Sequence, residues 1–259
     1  MKLSSSMSAV VTGGASGLGL ACVRQLVAKG VPVIIADLSD ELGAALVAQL
    51  QTQPGAQVKY VHADVCNTEQ MSQVFDAAEQ YAPLRAIIHC AGVGTAMRLL
   101  GKDNSPCPLE KYESTIRINL IGTFNTLRLA AARMAKNESV DGERGAFVLT
   151  ASVAAYEGQI GQIAYSASKA GVIGMTIVSA RDLAQHQIRV CTIAPGLFDT
   201  PMMAGLPENV RIALGASVPH PARLGQADEY AMTALHILEN PMLNGETIRL
   251  DGALRMAPR

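Results

Sequence analysis

Tyr165 and Lys169 stand four residues apart in the run Tyr-Ser-Ala-Ser-Lys, a phenol and an amine placed to share one face of a helix. A phenol with an ordinary pKa of about 10 is a poor base near neutrality, and an ammonium held beside it favours the phenolate and lowers that value. Tyr165 can then exchange a proton with a substrate hydroxyl. Ser152, thirteen residues earlier and just past an apolar run, supplies a hydroxyl to fix the substrate oxygen. The same spacing also suits an exposed helix with an ordinary Tyr and Lys, so the pair gains meaning only from the elements around it.

The first of these elements is a strand-like run, Ser8 to Thr12, that stops at Gly13-Gly-Ala-Ser-Gly17-Leu-Gly19 and continues as a helical pattern from Leu20 to Lys29. Glycines at 13, 17 and 19 let the backbone turn tightly and let a pyrophosphate reach free N–H groups at a helix start. A second buried run ends in Asp37, eighteen residues past Gly19. A carboxylate there accepts hydrogen bonds from ribose hydroxyls and repels a 2′-phosphate, which favours NAD over NADP, as does the lack of a basic residue in Leu38-Ser39-Asp40. Capping of the helix from Glu41 is the other reading of Asp37. Asp64, after the third strand, suits an adenine ring met by its carboxylate and the next backbone amide, that of Val65, or else caps the helix before Glu69. Cys90-Ala91-Gly92 puts small residues at the end of the fourth strand, where a cofactor needs room.

The totals narrow the field. At 259 residues the chain fits one large α/β domain covering 1–259, and a net charge of −1 gives no electrostatic footprint for nucleic acid or an anionic membrane. Small molecules are the expected partners. No run of about 18 apolar residues or secretory signal is read, so a soluble, cytoplasmic protein is expected. The five cysteines lack CxxC spacing and the five histidines show no HExxH, which argues against a metal centre. A GxSxG elbow is also missing, against a serine hydrolase.

Strand and helix patterns alternate throughout, predicting a doubly wound Rossmann domain: a mostly parallel seven-stranded sheet, order 3-2-1-4-5-6 plus a last strand, with helices on both faces. A loop runs from Val93 to Pro108, and a single long helix is predicted from Pro108 to about Met134, with Asn119 as a polar amide in an apolar turn. The proline-rich segment from Phe198 to Arg223 is expected to form a mobile cover over the site.

Thr12-Gly13-x-x-x-Gly17-x-Gly19, Cys90-Ala91-Gly92, Asn119, Ser152, Tyr165-x-x-x-Lys169 and Pro195-Gly196 together resemble the short-chain dehydrogenase/reductase family over nearly the whole length. The stretches at 12–21, 152–171, 192–198 and 244–256 are similar to a branch acting on 3-hydroxyacyl-CoA thioesters and also described as hydroxysteroid dehydrogenases. That branch shares Cys90; His89, where the wider family has Asn, reads as structural. The resemblance implies that Ser152 holds the substrate oxygen, Tyr165 is the general acid/base, and Lys169 lowers its pKa and binds ribose hydroxyls. It implies that Asn119 holds a water linking Lys169 to solvent, and that Ser16, Leu18, Asp37, Asp64, Val65, Cys90, Phe198 and Thr200 line NAD. Gln162 is a substrate contact or an exposed helix residue. The expected reaction is NAD-dependent oxidation of a secondary alcohol, with (S)-3-hydroxyacyl-CoA favoured over a steroid or short alcohol, and with a non-catalytic NAD-binding scaffold as the reading from another class. Arg98 and Lys102 are candidates for CoA phosphates or plain solvated charges. A homotetramer is expected from the likeness.

Overall fold

Near-continuous apolar runs are what strands need when both faces of their sheet are covered, because alternate side chains then enter opposite cores. Ala9, Val11, Ile35 and Ile88 enter one core, while Val10, Ile34, Ile87 and Phe147 enter the other. The computed structural model describes residues 1–258, Met202 by its backbone only. Among them, β1 (Ser8–Thr12), β2 (Val33–Asp37), β3 (Val58–His62), β4 (Leu84–His89), β5 (Gly145–Thr150), β6 (Ile188–Pro195) and β7 (Thr247–Leu250) form one sheet. Its order is β3-β2-β1-β4-β5-β6-β7, with every pairing parallel. The predicted sheet is therefore found, and it is wholly rather than mostly parallel.

The first core is covered by α1 (Gly17–Ala28), α2 (Asp40–Leu50) and α9 (Ala227–Glu239), the second by α3 (Thr68–Glu79), α5 (Gly122–Met134) and α6 (Ile163–Leu183). Strand order reverses between β1 and β4, which opens a crevice at the carboxyl ends of the strands. By length and composition the helix at residues 163–186 is apolar enough to span a membrane. Here it lies along the second core, with Ala164, Val172, Thr176 and Ala180 buried.

One expectation needs correction. The long helix predicted from Pro108 to Met134 is broken into α4 (Leu109–Ile116), a wider π turn (Arg117–Ile121) and α5. The extra residue in that turn lets Asn119 point into the interior instead of following the helical repeat. The alternative capping readings drop out: Ser39 caps α2 and Asn67 caps α3, leaving Asp37 and Asp64 outside those roles. The cover segment folds as α7 (Pro201–Ala204) and α8 (Glu208–Ala216).

Below the crevice, the buried Arg189 ties β6 to the end of α9. Its guanidinium meets Glu143 Oε1 at 2.6 Å and donates to the carbonyls of Ile237, Leu238 and Leu243 at 2.7–2.8 Å. Glu143 also meets the Met1 amine at 3.0 Å. Removing one partner of a buried pair strands the other, so Arg189→Ala is expected to lower stability by about 3 kcal/mol, read as a lower urea midpoint with unchanged slope.

Candidate active site

The crevice is walled on one side by the glycine turn. Gly13 has φ +62°, and a Cβ on it would stand 2.8 Å from Ala91 N. A Cβ on Gly19 would stand 2.2 Å from Gly13 O, so this turn closes only without side chains. The start of α1 carries no side-chain cap from Ser16 and no acidic residue in its first turn. Its leading N–H groups have no partners within the helix, which suits a pyrophosphate. Leu18 packs against the first core, and Thr200 at the start of α7 lies against Gly17, 3.6 Å from where its Cβ would be. The cover segment thus begins over the turn.

Asp37 ends β2 beside the turn. Its Oδ2 accepts from Ala15 N–H at 3.1 Å and its Oδ1 from Ser39 N–H at 3.1 Å. Tyr60 donates to the Asp37 carbonyl at 2.9 Å and reaches Asp40 Oδ1 at 2.8 Å, where His62 Nδ1 also binds at 2.9 Å. The carboxylate is fixed by backbone on both sides. Asp64 Oδ1 accepts from Cys66 N–H at 2.9 Å, and Val65 is buried with its carbonyl on Asn125. These residues fit a nicotinamide dinucleotide: an uncapped helix start for phosphates, a braced carboxylate for ribose, and a glycine-lined path onward at Gly92.

At the far end of the crevice, Lys169 is buried and donates to Thr150 O at 2.8 Å. A Cβ on Gly92 would lie 3.3 Å from Lys169 Nζ and 3.1 Å from Asn119 Oδ1, so this glycine keeps open the space beside both. Asn119 is fully buried: Oδ1 accepts from Val93 N–H at 2.8 Å, while Nδ2 donates to Val93 O at 2.9 Å and to Ser168 Oγ at 3.0 Å. Ser168 in turn donates to Tyr165 O at 2.7 Å. The π turn is thereby tied to the first turns of α6.

Ser152, at the mouth of β5, accepts from Ala154 N–H at 3.1 Å, and its hydroxyl lies near enough to the Tyr165 phenol to favour the phenolate. Burial pushes the phenol above its ordinary value, and only the Ser152 hydroxyl pulls it down. Lys169 Nζ stands 5.8 Å from the ring centroid, and burial drives the amine itself down to about 8. In this structure both groups are pushed toward their neutral forms.

Behind the site runs a chain of hydrogen bonds built on His89, the residue read as structural. Thr12 Oγ1 lies 2.9 Å from His89 Nδ1, His89 Nε2 lies 3.0 Å from Thr123 Oγ1, and Thr123 donates to Asn119 O at 2.6 Å. Because Thr123 spends its proton on Asn119, it accepts from His89 Nε2–H, and Nδ1 accepts from Thr12. His89 is held neutral, its pKa lowered to about 3 first by burial and then by Lys169. Thr12 and His89 are register partners at the ends of β1 and β4, a signal available from aligning strand ends.

The remaining expected residues are placed less directly. Cys90 lies by Tyr230, whose hydroxyl meets Thr150 Oγ1 at 2.6 Å. Pro195 ends β6, Gly196 packs on Asp251, and Phe198 is buried against Gly225. Gln162 directly precedes α6, its Oε1 accepting from Gln159 N–H at 3.0 Å. Arg98 and Lys102 are exposed on the 93–108 loop. Among the described residues no group of His, Cys, Asp or Glu is arranged to hold a metal.

Comparison with known proteins agrees with this architecture. A family model described as short chain dehydrogenase matches residues 7–211. The chain is 50% identical over 252 residues to 3-hydroxyacyl-CoA dehydrogenase type-2 of Drosophila melanogaster, covering 96% of this chain and 97% of that one. It is 46% identical over 253 residues to the Homo sapiens protein of that name, covering 96% and 95%. The crystal structure of 3-hydroxyacyl-CoA dehydrogenase type-2 from Mycobacterium avium superposes with a TM-score of 0.94 at 46% identity, covering 98% of each chain. With a glycine turn, a parallel sheet reversing at β1 and β4, and a Ser, Tyr and Lys gathered at its open end, the chain belongs to the short-chain dehydrogenase family.

Proposed function

We propose that this oxidoreductase uses NAD to interconvert (S)-3-hydroxyacyl-CoA and 3-ketoacyl-CoA, with Ser152, Tyr165 and Lys169 as its catalytic groups and Asn119 as their support. The observation that carries the reading is the convergence of a serine hydroxyl, a half-buried phenol and a buried amine in the crevice that the glycine turn opens. The names of the most similar relatives support the thioester. Asp37, braced by Ala15 and Ser39, supports NAD over its 2′-phosphorylated form.

When bound, the dinucleotide supplies the two-electron redox chemistry, taking hydride from a carbinol carbon. Ser152 donates its hydroxyl proton to the substrate oxygen and orients it. Tyr165 accepts the alcohol proton in oxidation and returns one in reduction. Lys169 offers its N–H groups to ribose hydroxyls across the gap left by Gly92. Asn119 has its side-chain amide engaged, and the second lone pair of its main-chain carbonyl, which already accepts from Thr123, would hold a water toward Lys169. Gln162 borders the substrate side, and Arg98 and Lys102 are the nearby cations for CoA phosphates.

Exposed apolar side chains on the π turn, α5 and α6, namely Ile121, Phe124, Ile163, Ile177 and Val178, support the homotetramer. Five free cysteines support a reducing compartment such as the cytoplasm. Sedimentation is expected to return a tetramer, and a monomer alone removes that part of the reading.

Acetoacetyl-CoA with NADH is expected to turn over faster than a free steroid ketone, and the reverse order would favour a steroid substrate. Tyr165→Phe should lower kcat by about 10³-fold, the range of a lost general acid/base, while the Kd for NADH stays within about threefold. Intact activity in that variant rejects the mechanism. Because burial keeps Tyr165 protonated, ketone reduction should persist at neutral pH and below. Alcohol oxidation, which needs the base form, should climb as pH rises through 8 to 10; a rate that falls over that window contradicts the assignment.

A further inference from the structure

The segment from Glu157 to Gln162 lies between the catalytic serine and the catalytic tyrosine yet belongs to no helix or strand. Its position must come from what holds its two edges. On one edge, Met97 N–H donates to Gly161 O at 2.7 Å and Met97 pairs with Gln162 as an isolated parallel bridge. That contact fastens the 93–108 loop to the site. Met97 is the buried residue of a loop otherwise largely exposed.

On the other edge sits the C-terminal tail. Ile160 N–H donates to Pro258 O at 3.0 Å, and Gln159 Nε2 to Ala257 O at 3.1 Å. The tail is pinned in turn by Arg249, on β7. Its guanidinium grips both oxygens of Glu157, at 2.8 and 3.0 Å, meets Asp251 Oδ2 at 2.8 Å and donates to Leu254 O at 2.9 Å. It also stacks over the Tyr156 ring, 5.0 Å from its centroid. A two-pronged arginine–carboxylate pair fixes orientation as well as distance.

We propose that Arg249 and Glu157 are positioning residues for the substrate side of the site. By clamping the tail to the Glu157–Gln162 segment they set the edge on which the 93–108 loop is held, and leave the nucleotide side, built on β1, β2 and α1, untouched. This deepens the proposed ketoacyl reading for its kinetic arm and is independent of it for the other.

Glu157→Gln and Arg249→Met are the variants, singly and together. Amide hydrogen exchange at Met97 and Ile160 should accelerate by about tenfold in each single variant and no further in the double, because one clamp is lost either way. Arg189→Ala, which loosens the fold elsewhere, should leave exchange at Met97 unchanged. With acetoacetyl-CoA and NADH, KM for the thioester should rise about fivefold or more while kcat and the Kd for NADH stay within about twofold. Unaltered Met97 exchange in both single variants overturns the clamp, as does a KM that moves in step with the Kd for NADH. Should the wild-type protein leave acetoacetyl-CoA unreduced, the ketoacyl reading fails and the exchange measurement still decides this one.

Discussion

A lysine amine buried against the sheet is the constraint on which the rest of the site depends. Lys169 sits at the carboxyl end of β5 with its Nζ on the Thr150 carbonyl, and burial has driven it down to about 8. An amine in that position is tolerated only where an acceptor waits for it, and here it is the Thr150 carbonyl, with open space kept beside it by Gly92. Everything near it is arranged to keep that space. Asn119 uses its whole amide to hold Val93 and Ser168 at the rim, and the π turn exists at the place where a regular helix would have pointed that amide elsewhere.

The neutral histidine chain does related work from behind. Thr12, His89 and Thr123 link the end of β1 to the carbonyl of Asn119 in one direction of proton donation. The strand that starts the glycine turn and the turn that carries Asn119 are thus fixed relative to each other without a charge. A charged histidine there would face Lys169 across the interior, which is one reason burial holds it neutral.

Much of this was legible in the sequence because its signals are local. Alternation of strands and helices, the glycine spacing, Asp37 at a strand end and the Tyr165–Lys169 pair each follow from residues close together in the chain. What stayed hidden depends on contacts between distant segments. The π turn, one residue wider than a regular turn, is not marked by any Gly or Pro in the run Arg117–Ile121. The caps of α2 and α3, Ser39 and Asn67, are the side chains whose position lets them reach the first helical amides. Spacing puts an amine near the Tyr165 phenol, while the depth at which each group sits, which the sequence does not display, pushes both toward their neutral forms.

The central claim is that Tyr165 rests as a protonated phenol and is made basic by charge brought into the crevice. Ultraviolet difference titration of the wild-type protein against Tyr165→Phe isolates that one phenol. The account predicts a value above 10 in the free protein that falls when NAD, with its cationic ring, is added. A phenol that titrates below 10 without the nucleotide and does not move on its addition would contradict it.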